Sequence, residues 1–500
     1  MDKKKSILNV SISIGFKILT MVMAILVKRS LILTCGNDVN GVNALYLSII
    51  GMLSVAELGV GSAITFCMYR PIVDGDREKV SALYHLFQRW YLAIGAIIFV
   101  CGLALTPFLH HFAKDYDLLN VDLYVTFVLM LISVVLTFLF GAKTALINAY
   151  KNNYITTAIS SGGIILQNVL QIIVLTLTGS FSAYLICRSV AVLVQWAVTE
   201  AISRRMYSGI LSKKAKIDPD TRHELSRKIR AMFMHKIGFL LVNTVDSLVI
   251  SVFVGVVSLG KYSNYTAIQQ SMDNVLRLVF SSLTSVVGHM YAENSRATAR
   301  KYCEAFHVLN FLIGAVFYLG YYAVIDDLVA ILFGESLLAD RSISFVITLN
   351  GFISYMRSST LIFRDATGTF YNDRWKPLLE GSVNIILSVL LVNYIGVVGV
   401  IAATILTNLL ICHIIEPFVL YNNAFGHSPW KHYLRNYGMI LLFGGSMYLF
   451  QLFETTDHSH WINFLLNGFL SVGISLAACA IVLVLNPDVC KNMMNRMRHE

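Results

Sequence analysis

The sequence contains few of the residues on which soluble, disulfide-stabilised or zinc-binding proteins depend. Only 14% of its 500 residues are charged, which is little polar surface for a soluble chain of this length. Its seven prolines leave long stretches in which a helix can run without interruption. The eight cysteines occur singly, with no CxxC pair and no Cys/His cluster, so neither a zinc site nor a disulfide framework is indicated.

Long apolar segments take the place of that missing polarity. The chain is 56% hydrophobic with a mean hydropathy of +0.67, and apolar runs of roughly 20 residues can cross a hydrocarbon core of ~30 Å. The ~10-residue alternating strands of a membrane barrel are not found. We therefore predict an all-α polytopic integral membrane protein with about 14 transmembrane helices. The predicted spans are 6–33, 41–69, 88–109, 122–146, 154–178, 180–202, 231–257, 260–290, 305–325, 341–365, 377–395, 397–420, 436–453 and 461–485.

Short motifs of the first half recur in the second half, 219 to 223 residues later, in the same order. Because both copies begin after an even number of spans, they are predicted to form parallel repeats about an axis along the membrane normal. The matching motifs are Ile14-Gly15-Phe16 and Ile237-Gly238-Phe239, Met68-Tyr69 and Met290-Tyr291, His85 and His307, and Ile94-Gly95-Ala96 and Ile313-Gly314-Ala315.

The repeat predicts two six-helix lobes plus two appended helices. The lobes are 1–202 (spans 1–6) and 231–420 (spans 7–12), joined by a basic cytoplasmic linker at 203–230. Residues 421–500 hold spans 13 and 14 and a basic cytoplasmic tail. Most of the 39 Lys and Arg fall in loops on one side, so both termini are predicted to be cytoplasmic. The net charge of +10 then favours contact with anionic lipid headgroups over nucleic-acid binding.

Two related segments are amphipathic and are predicted to lie along the inner membrane surface. The first runs from Arg77 to Trp90 and carries Val80, Leu83, Tyr84 and Phe87 on one helical face. Its counterpart runs from Arg296 to Val308.

Basic residues inside predicted spans are candidates for binding an anionic substrate. An ionisable group near the middle of a span costs roughly 2.5–3.5 kcal/mol on insertion scales, so it marks a candidate functional position. A water-filled cavity lined by several such cations would receive an anion, and arginine suits phosphate oxygens. Arg29 near a span end has the alternative of snorkelling to the interface. The candidates are Lys17, Lys28, Arg29, Arg188, Arg277 and Arg357.

Acidic residues inside spans have two interpretations. Glu57, Asp246 and Asp273 either couple transport to a Na+ or H+ gradient or pair with the cavity cations. Asp273 and Arg277 stand four residues apart on one helix, a spacing at which the two side chains can neutralise each other.

Catalytic motifs are missing from the sequence. It contains no HExxH, GxSxG, GxGxxG or P-loop, so no catalytic residue, metal site or bound cofactor is predicted and the protein is not expected to be an enzyme. The short predicted outer loops also disfavour a membrane glycan polymerase or ligase, which would carry its catalytic groups there.

Two motif-rich stretches resemble the bacterial polysaccharide flippases of the multidrug/oligosaccharidyl-lipid/polysaccharide exporter superfamily. The resemblance is closest to the Gram-positive branch that serves capsule or exopolysaccharide export. The first stretch, Arg29 to Pro71, contains GVNALY, AELGVGSA and MYRP. The second contains Arg364-Asp365-Ala366-Thr367-Gly368, Asn372-Asp373-Arg374-Trp375-Lys376-Pro377, Glu380, Asn384 and Gly396-Val397-Val398-Gly399-Val400.

The resemblance implies a transporter that flips undecaprenyl-diphosphate-linked oligosaccharides across the bacterial plasma membrane by alternating access. It implies a cationic cavity near helices 1, 2, 7 and 8, which Lys17, Glu57, Asp246 and Arg277 match by helix and depth. Expected partners are the polyprenyl-diphosphate-linked glycan, membrane lipids and polysaccharide assembly enzymes. The alternative is a cation-coupled multidrug/toxin extruder of the same fold, for which a more acidic cavity would be expected.

Overall fold

A computed structural model describes residues 3–54, 60–114, 119–212, 244–369 and 372–487, and gives only the backbone for 3–14, 17, 60–64, 278–286 and 292. The regular elements of these residues are all helical, which confirms the predicted all-α fold. In chain order the helices are α1 (Lys3–Cys35), α2 (Asn37–Leu53), α3 (Val60–Val73), α4 (Arg77–Leu105), α5 (Leu109–Phe112), α6 (Leu123–Val135), α7 (Gly141–Ala149), α8 (Asn153–Thr178), α9 (Phe181–Leu211), α10 (Thr244–Val254), α11 (Val256–Glu293), α12 (Arg296–Phe333), α13 (Arg341–Met356), α14 (Ser358–Ala366), α15 (Lys376–Thr407), α16 (His413–Leu420), α17 (Trp430–Phe453) and α18 (His460–Leu485).

The chain is a multi-pass membrane protein. Within the described residues, eight helical stretches are long and apolar enough to cross a bilayer, and further apolar helices accompany them. The eight are Ile18–Cys35, Arg77–Phe112, Leu123–Ala149, Asn153–Thr178, Phe181–Leu211, Arg296–Phe333, Lys376–Phe425 and His460–Leu485. Each of the 14 predicted spans coincides with helical residues, except that 55–59 and 231–243 lie outside the described residues.

The predicted break between spans 11 and 12 falls inside α15. Ile395 has non-helical backbone angles and Gly396 adopts a φ of 57° with a ψ of −135°, a conformation that strains residues with a Cβ. The helical axis is therefore broken at Gly396. Residues 376–407 are assigned as one helix, but they contribute to two predicted spans, one on each side of this break.

The prediction of separate surface helices is wrong. Arg77 to Trp90 forms the first half of α4, and Arg296 to Val308 forms the start of α12, in both cases without a break. The apolar face of the first segment is buried inside the protein, since Leu83 and Phe87 are 0% exposed. Amphipathicity predicted the helices correctly, but the buried partner of the apolar face is protein and not lipid.

Equivalent capping residues begin α4 and α12. Asp76 accepts a hydrogen bond from the backbone N of Lys79 (2.9 Å), and Ser295 accepts one from the backbone N of Thr298 (3.3 Å). These caps occupy corresponding positions of the sequence repeat. The repeat therefore includes the start of this helix, although the capping residue is an aspartate in the first copy and a serine in the second.

The chain divides into two compact units, Met1–Gly260 and Lys261–Glu500. In the first unit α1 packs on α8, and α8 and α6 pack on α9; in the second, α12 packs on α13 and α18. The predicted lobe boundaries stay a prediction, because most of the 203–230 linker lies outside the described residues.

Candidate functional site

The predicted cations of the first unit lie on α1 and α9. Lys28 and Arg29 are half-buried near the end of α1, and Arg188 is half-buried on α9. The side chain of Lys17 and the whole of Glu57 lie outside the described residues.

Lys28 and Arg188 lie at a similar depth in the first unit. The Sγ of Cys35, at the end of α1, donates a hydrogen bond to the carbonyl oxygen of Gly179, between α8 and α9 (3.3 Å). At 1.5 Å per helical residue, Lys28 lies roughly 10 Å and Arg188 roughly 13 Å from this contact along the chain. The contact thus brings two of the predicted cations to one level of the membrane.

Arg188 has little protein charge to neutralise it. Its Nη1 atom contacts Met130 Sδ (3.4 Å), and no described residue places a carboxylate within ion-pair distance of its guanidinium. A half-buried guanidinium without an acid is a poor structural element, because its desolvation is not compensated. Anion binding by Arg188 therefore stays a prediction.

The predicted Asp273–Arg277 pair is not formed as an ion pair in the described residues. Asp273 instead accepts a hydrogen bond at Oδ1 from the hydroxyl of Tyr318 on α12 (2.5 Å). Arg277 is exposed. Of the acids predicted on neighbouring helices, Asp246 is buried on α10, with 9% of its surface exposed. Arg277 thus forms no ion pair with a described residue, and Asp273, one turn away on α11, is the acid nearest to it in sequence.

Arg357 has a very different environment, the buried ion cluster formed by Arg357, Lys376, Glu380 and Glu416. Arg357 Nη2 lies 2.6 Å from Glu416 Oε1, its Nη1 lies 3.5 Å from Glu380 Oε1, and Nη1 also donates to Asn408 Oδ1 (2.7 Å). Lys376 Nζ lies 2.6 Å from Glu380 Oε2 and 2.7 Å from Glu416 Oε1. Two bases and two acids therefore balance each other.

The ion cluster joins three helices inside the second unit. Arg357 stands at the break between α13 and α14, Lys376 and Glu380 open α15, and Glu416 lies on α16. All four side chains are 15% exposed or less, so the charges compensate one another away from solvent. The guanidinium of Arg357 is consequently occupied by protein carboxylates in this structure.

A second group of ion pairs continues from the end of α14. Arg364 Nη1 lies 2.8 Å from Asp373 Oδ2, and Arg364 Nη2 lies 3.1 Å from Asp365 Oδ1. These residues belong to the motif stretch that carries the family resemblance. Part of this motif stretch thus forms ion pairs that join the end of α14 to Asp373, which precedes α15.

Sequence reasoning did not assign a site role to Lys143, Glu200, Lys376, Glu380 or Glu416. In the first unit, Lys143 on α7 forms an ion pair with Glu200 on α9, and Arg204 Nε lies 2.6 Å from Glu200 Oε1. The positions of the two glutamates in the repeat could have identified them. Glu200 and Glu416 each stand near the end of the sixth span of their repeat, at almost the repeat spacing.

The start of α2 is tightly joined to the turn between α10 and α11. Asn37 Nδ2 donates to the carbonyl oxygen of Val257 (3.0 Å), and Asn40 Nδ2 donates to that of Gly260 (3.2 Å). A Cβ at Gly41 would overlap the carbonyl of Val256. We call these contacts, all within the first unit, the α2–α11 junction. Its close backbone approach needs glycine.

The junction extends to the turn that follows α5. Ser251 Oγ donates to the carbonyl oxygen of Phe112 (2.7 Å), and Lys114 Nζ donates to that of Phe253 (2.9 Å). Loops that follow the first, third and seventh predicted spans are thereby held together at one end of the first unit.

Known structures share this fold. Lipid II flippase MurJ in an inward closed conformation matches with a TM-score of 0.67 at 14% identity, over 97% of this chain and 100% of the flippase chain. A multidrug resistance MATE family transporter of the MOP superfamily, in an inward-facing conformation, matches with a TM-score of 0.61 at 14% identity, over 85% of this chain and 94% of the transporter chain. No family model and no curated protein matches the chain. The likeness establishes the fold, which is that of membrane transporters.

Proposed function

We propose that this protein is a flippase that moves undecaprenyl-diphosphate-linked oligosaccharides across the bacterial plasma membrane for capsule or exopolysaccharide biosynthesis. The observation that carries the proposal is the extent of the fold likeness. Lipid II flippase MurJ is matched over its whole length and 97% of this chain, whereas the MATE transporter covers 85% of it. The chain was predicted to carry two helices beyond its two six-helix lobes, and a coverage of 97% leaves little of it outside the likeness to the flippase.

Uncompensated basic groups support an anionic substrate. Arg188 and Arg277 lack ion-pair partners among the described residues, while the bases of the ion cluster are neutralised by protein acids. A diphosphate carries the charge and the oxygen atoms that guanidinium groups bind in pairs. In the first unit Arg188, with the predicted Lys17, Lys28 and Arg29, is a candidate for binding the headgroup, and in the second unit Arg277 is another, while the prenyl chain stays in lipid.

The α2–α11 junction supports alternating access. By the positive-inside pattern, with both termini in the cytoplasm, the joined loops lie on the outer face. Within the first unit, these contacts would hold the outer loops together while a headgroup enters from the cytoplasm. Release outside would then require Asn37 and Asn40 to leave their carbonyl partners, and the free-energy source would be a Na+ or H+ gradient acting through Asp246 or Asp273.

Transport in proteoliposomes tests the proposal. Vesicles containing the purified protein are expected to translocate a fluorescently labelled undecaprenyl-diphosphate oligosaccharide, and Arg188→Gln is expected to slow this about tenfold through the loss of a charge-assisted contact. Arg205→Gln is the matched control, because Arg205 is exposed at the end of α9.

The same vesicles distinguish the alternative function. A cation-coupled extruder of this fold would transport ethidium and leave the lipid-linked oligosaccharide in place. The fold likeness to the MATE transporter makes this the outcome to examine. Ethidium transport without oligosaccharide translocation would replace the flippase proposal by the extruder.

A further inference from the structure

A group of amide side chains lies between α8 and α9, and the interactions described above leave it unexplained. We call it the amide patch, and it consists of Gln167, Asn168, Gln171 and Gln195. Gln167 Nε2 donates to Gln171 Oε1 (3.3 Å), one helical turn along α8. Gln195 on α9 faces Gly163, where a Cβ would overlap its amide group. Two helices thus contribute to one polar patch.

Asn168 is the informative member of the patch. Its side chain is 5% exposed, and among the described residues its Nδ2 atom has no hydrogen-bond partner. A buried amide donor without an acceptor is costly, and inside a membrane no bulk water can satisfy it. Gln171 on the same helix is satisfied, since its Nε2 donates to the carbonyl oxygen of Tyr184 (3.2 Å). Interhelical bonding therefore explains Gln171 but not Asn168.

The amide patch lies next to Arg188. Gln171 contacts Tyr184, which precedes Arg188 by one turn of α9, so the guanidinium and the amides follow one another along the same pair of helices. The α1 helix, which carries Lys28 and Arg29, packs on α8. The amides and Arg188 therefore lie along the same pair of helices in the first unit, with the Arg188 guanidinium against Met130 of α6.

We propose that the amide patch binds the hydroxyl groups of the sugar that is attached to the diphosphate, with Arg188 on the phosphate. Amides both donate and accept hydrogen bonds, as sugar hydroxyls do. The unsatisfied Asn168 donor receives an acceptor when the sugar is bound. This inference rests on the proposed flippase function and assigns particular residues to the sugar part of the substrate, next to those assigned to its diphosphate.

Two lipid substrates test the assignment in proteoliposomes of the full-length protein. Wild-type protein, Asn168→Leu and Gln167→Ala are compared on undecaprenyl diphosphate and on the same lipid carrying an oligosaccharide. Each variant is expected to raise the half-saturating concentration of the glycosylated lipid roughly three- to tenfold, the effect of one lost hydrogen bond, and to leave that of the bare lipid unchanged. Gln451→Leu, on an exposed position of α17, is the control.

The outcomes separate this inference from the flippase proposal. Equal changes for both lipids, or no change for either, would overturn the sugar site, since amides that only join helices cannot distinguish the two lipids. Gln167 is half-buried, so its alanine variant is expected to fold even where Asn168→Leu does not. Wild-type protein that moves neither lipid but exports ethidium would overturn the flippase function, and the sugar site with it.

Discussion

Each predicted six-helix lobe pairs a glutamate of its sixth span with a base of its fourth span, but the two pairs differ in their surroundings. In the first unit, Glu200 binds Lys143 and the exposed Arg204, whose side chain is 75% exposed. In the second unit, Glu416 binds Arg357 and Lys376 and is itself 1% exposed. A glutamate–base pair thus occurs in both copies of the repeat, and in the second copy it is part of a buried cluster of two acids and two bases.

The difference separates structural charge from charge available to a ligand. In the second unit Glu380 supplies a second acid, so the bases of the ion cluster are compensated within the protein. In the first unit Arg188 has no such acid among the described residues. Whether a buried base is available to a ligand can therefore be judged from the number of acids that contact it. Its position within a span does not give this information.

The largest effect is expected from breaking the ion cluster. Glu416→Ala should lower the free energy of unfolding by about 3–5 kcal/mol, because Arg357 and Lys376 would be left buried with one acid between them. Thermal or denaturant unfolding in detergent micelles measures it.

A double-mutant cycle serves as the control for this prediction. Adding Arg357→Ala to Glu416→Ala should cost less than the sum of the two single changes, since the second change removes a charge that the first left unpaired. Additive single effects would show that the two residues act independently.

An intermediate effect is expected from the corresponding glutamate of the first unit. Glu200→Ala should lower the free energy of unfolding by about 2 kcal/mol, the value for hydrogen bonds to charged groups. Only Lys143 loses a buried partner there, and Arg204 can turn to solvent. The same unfolding measurement applies, and a loss as large as that of Glu416→Ala would remove the contrast between the units.

A small effect is expected from removing Arg204, the exposed base that contacts Glu200. Arg204→Ala should change the free energy of unfolding by less than about 1 kcal/mol, because solvent and salt screen an exposed ion pair. Unfolding at low and at high salt checks this. A larger loss would mean that Glu200 depends on Arg204 as much as on Lys143.

Sequence reasoning predicted much of the fold. Helix positions followed from apolar length, and the break at Gly396 followed from a glycine between two apolar runs. The paired start of α4 and α12 was recognisable from the repeat, but their unbroken continuation was not, because an amphipathic face does not reveal whether lipid or protein covers it. Residues 55–59 and 213–243, with Glu57 among them, lie outside the described structure.

The candidate site was less predictable for a physical reason. A mid-span base such as Arg357 and one such as Arg188 look alike in sequence. Arg357 is paired with Glu416, which lies 59 residues away in the chain. Arg188 has no ion-pair partner among the described residues. Tyr318, which binds Asp273, carries no charge and gave no signal. Distances across helices, and not positions within them, decide which charges are paired.

The smallest effect on stability, together with a clear effect on transport, is expected at Arg277. Arg277→Gln should change the free energy of unfolding by no more than about 0.5 kcal/mol, because its guanidinium is exposed and forms no described ion pair. Translocation of the lipid-linked oligosaccharide should fall about tenfold, since a charge-assisted contact to phosphate is lost. Arg205→Gln should leave both unchanged. Unfolding and proteoliposome transport measured on the same preparations check this. A destabilised variant with normal transport would mean that Arg277 stabilises the fold, as the charges of the ion cluster do, and does not bind the substrate.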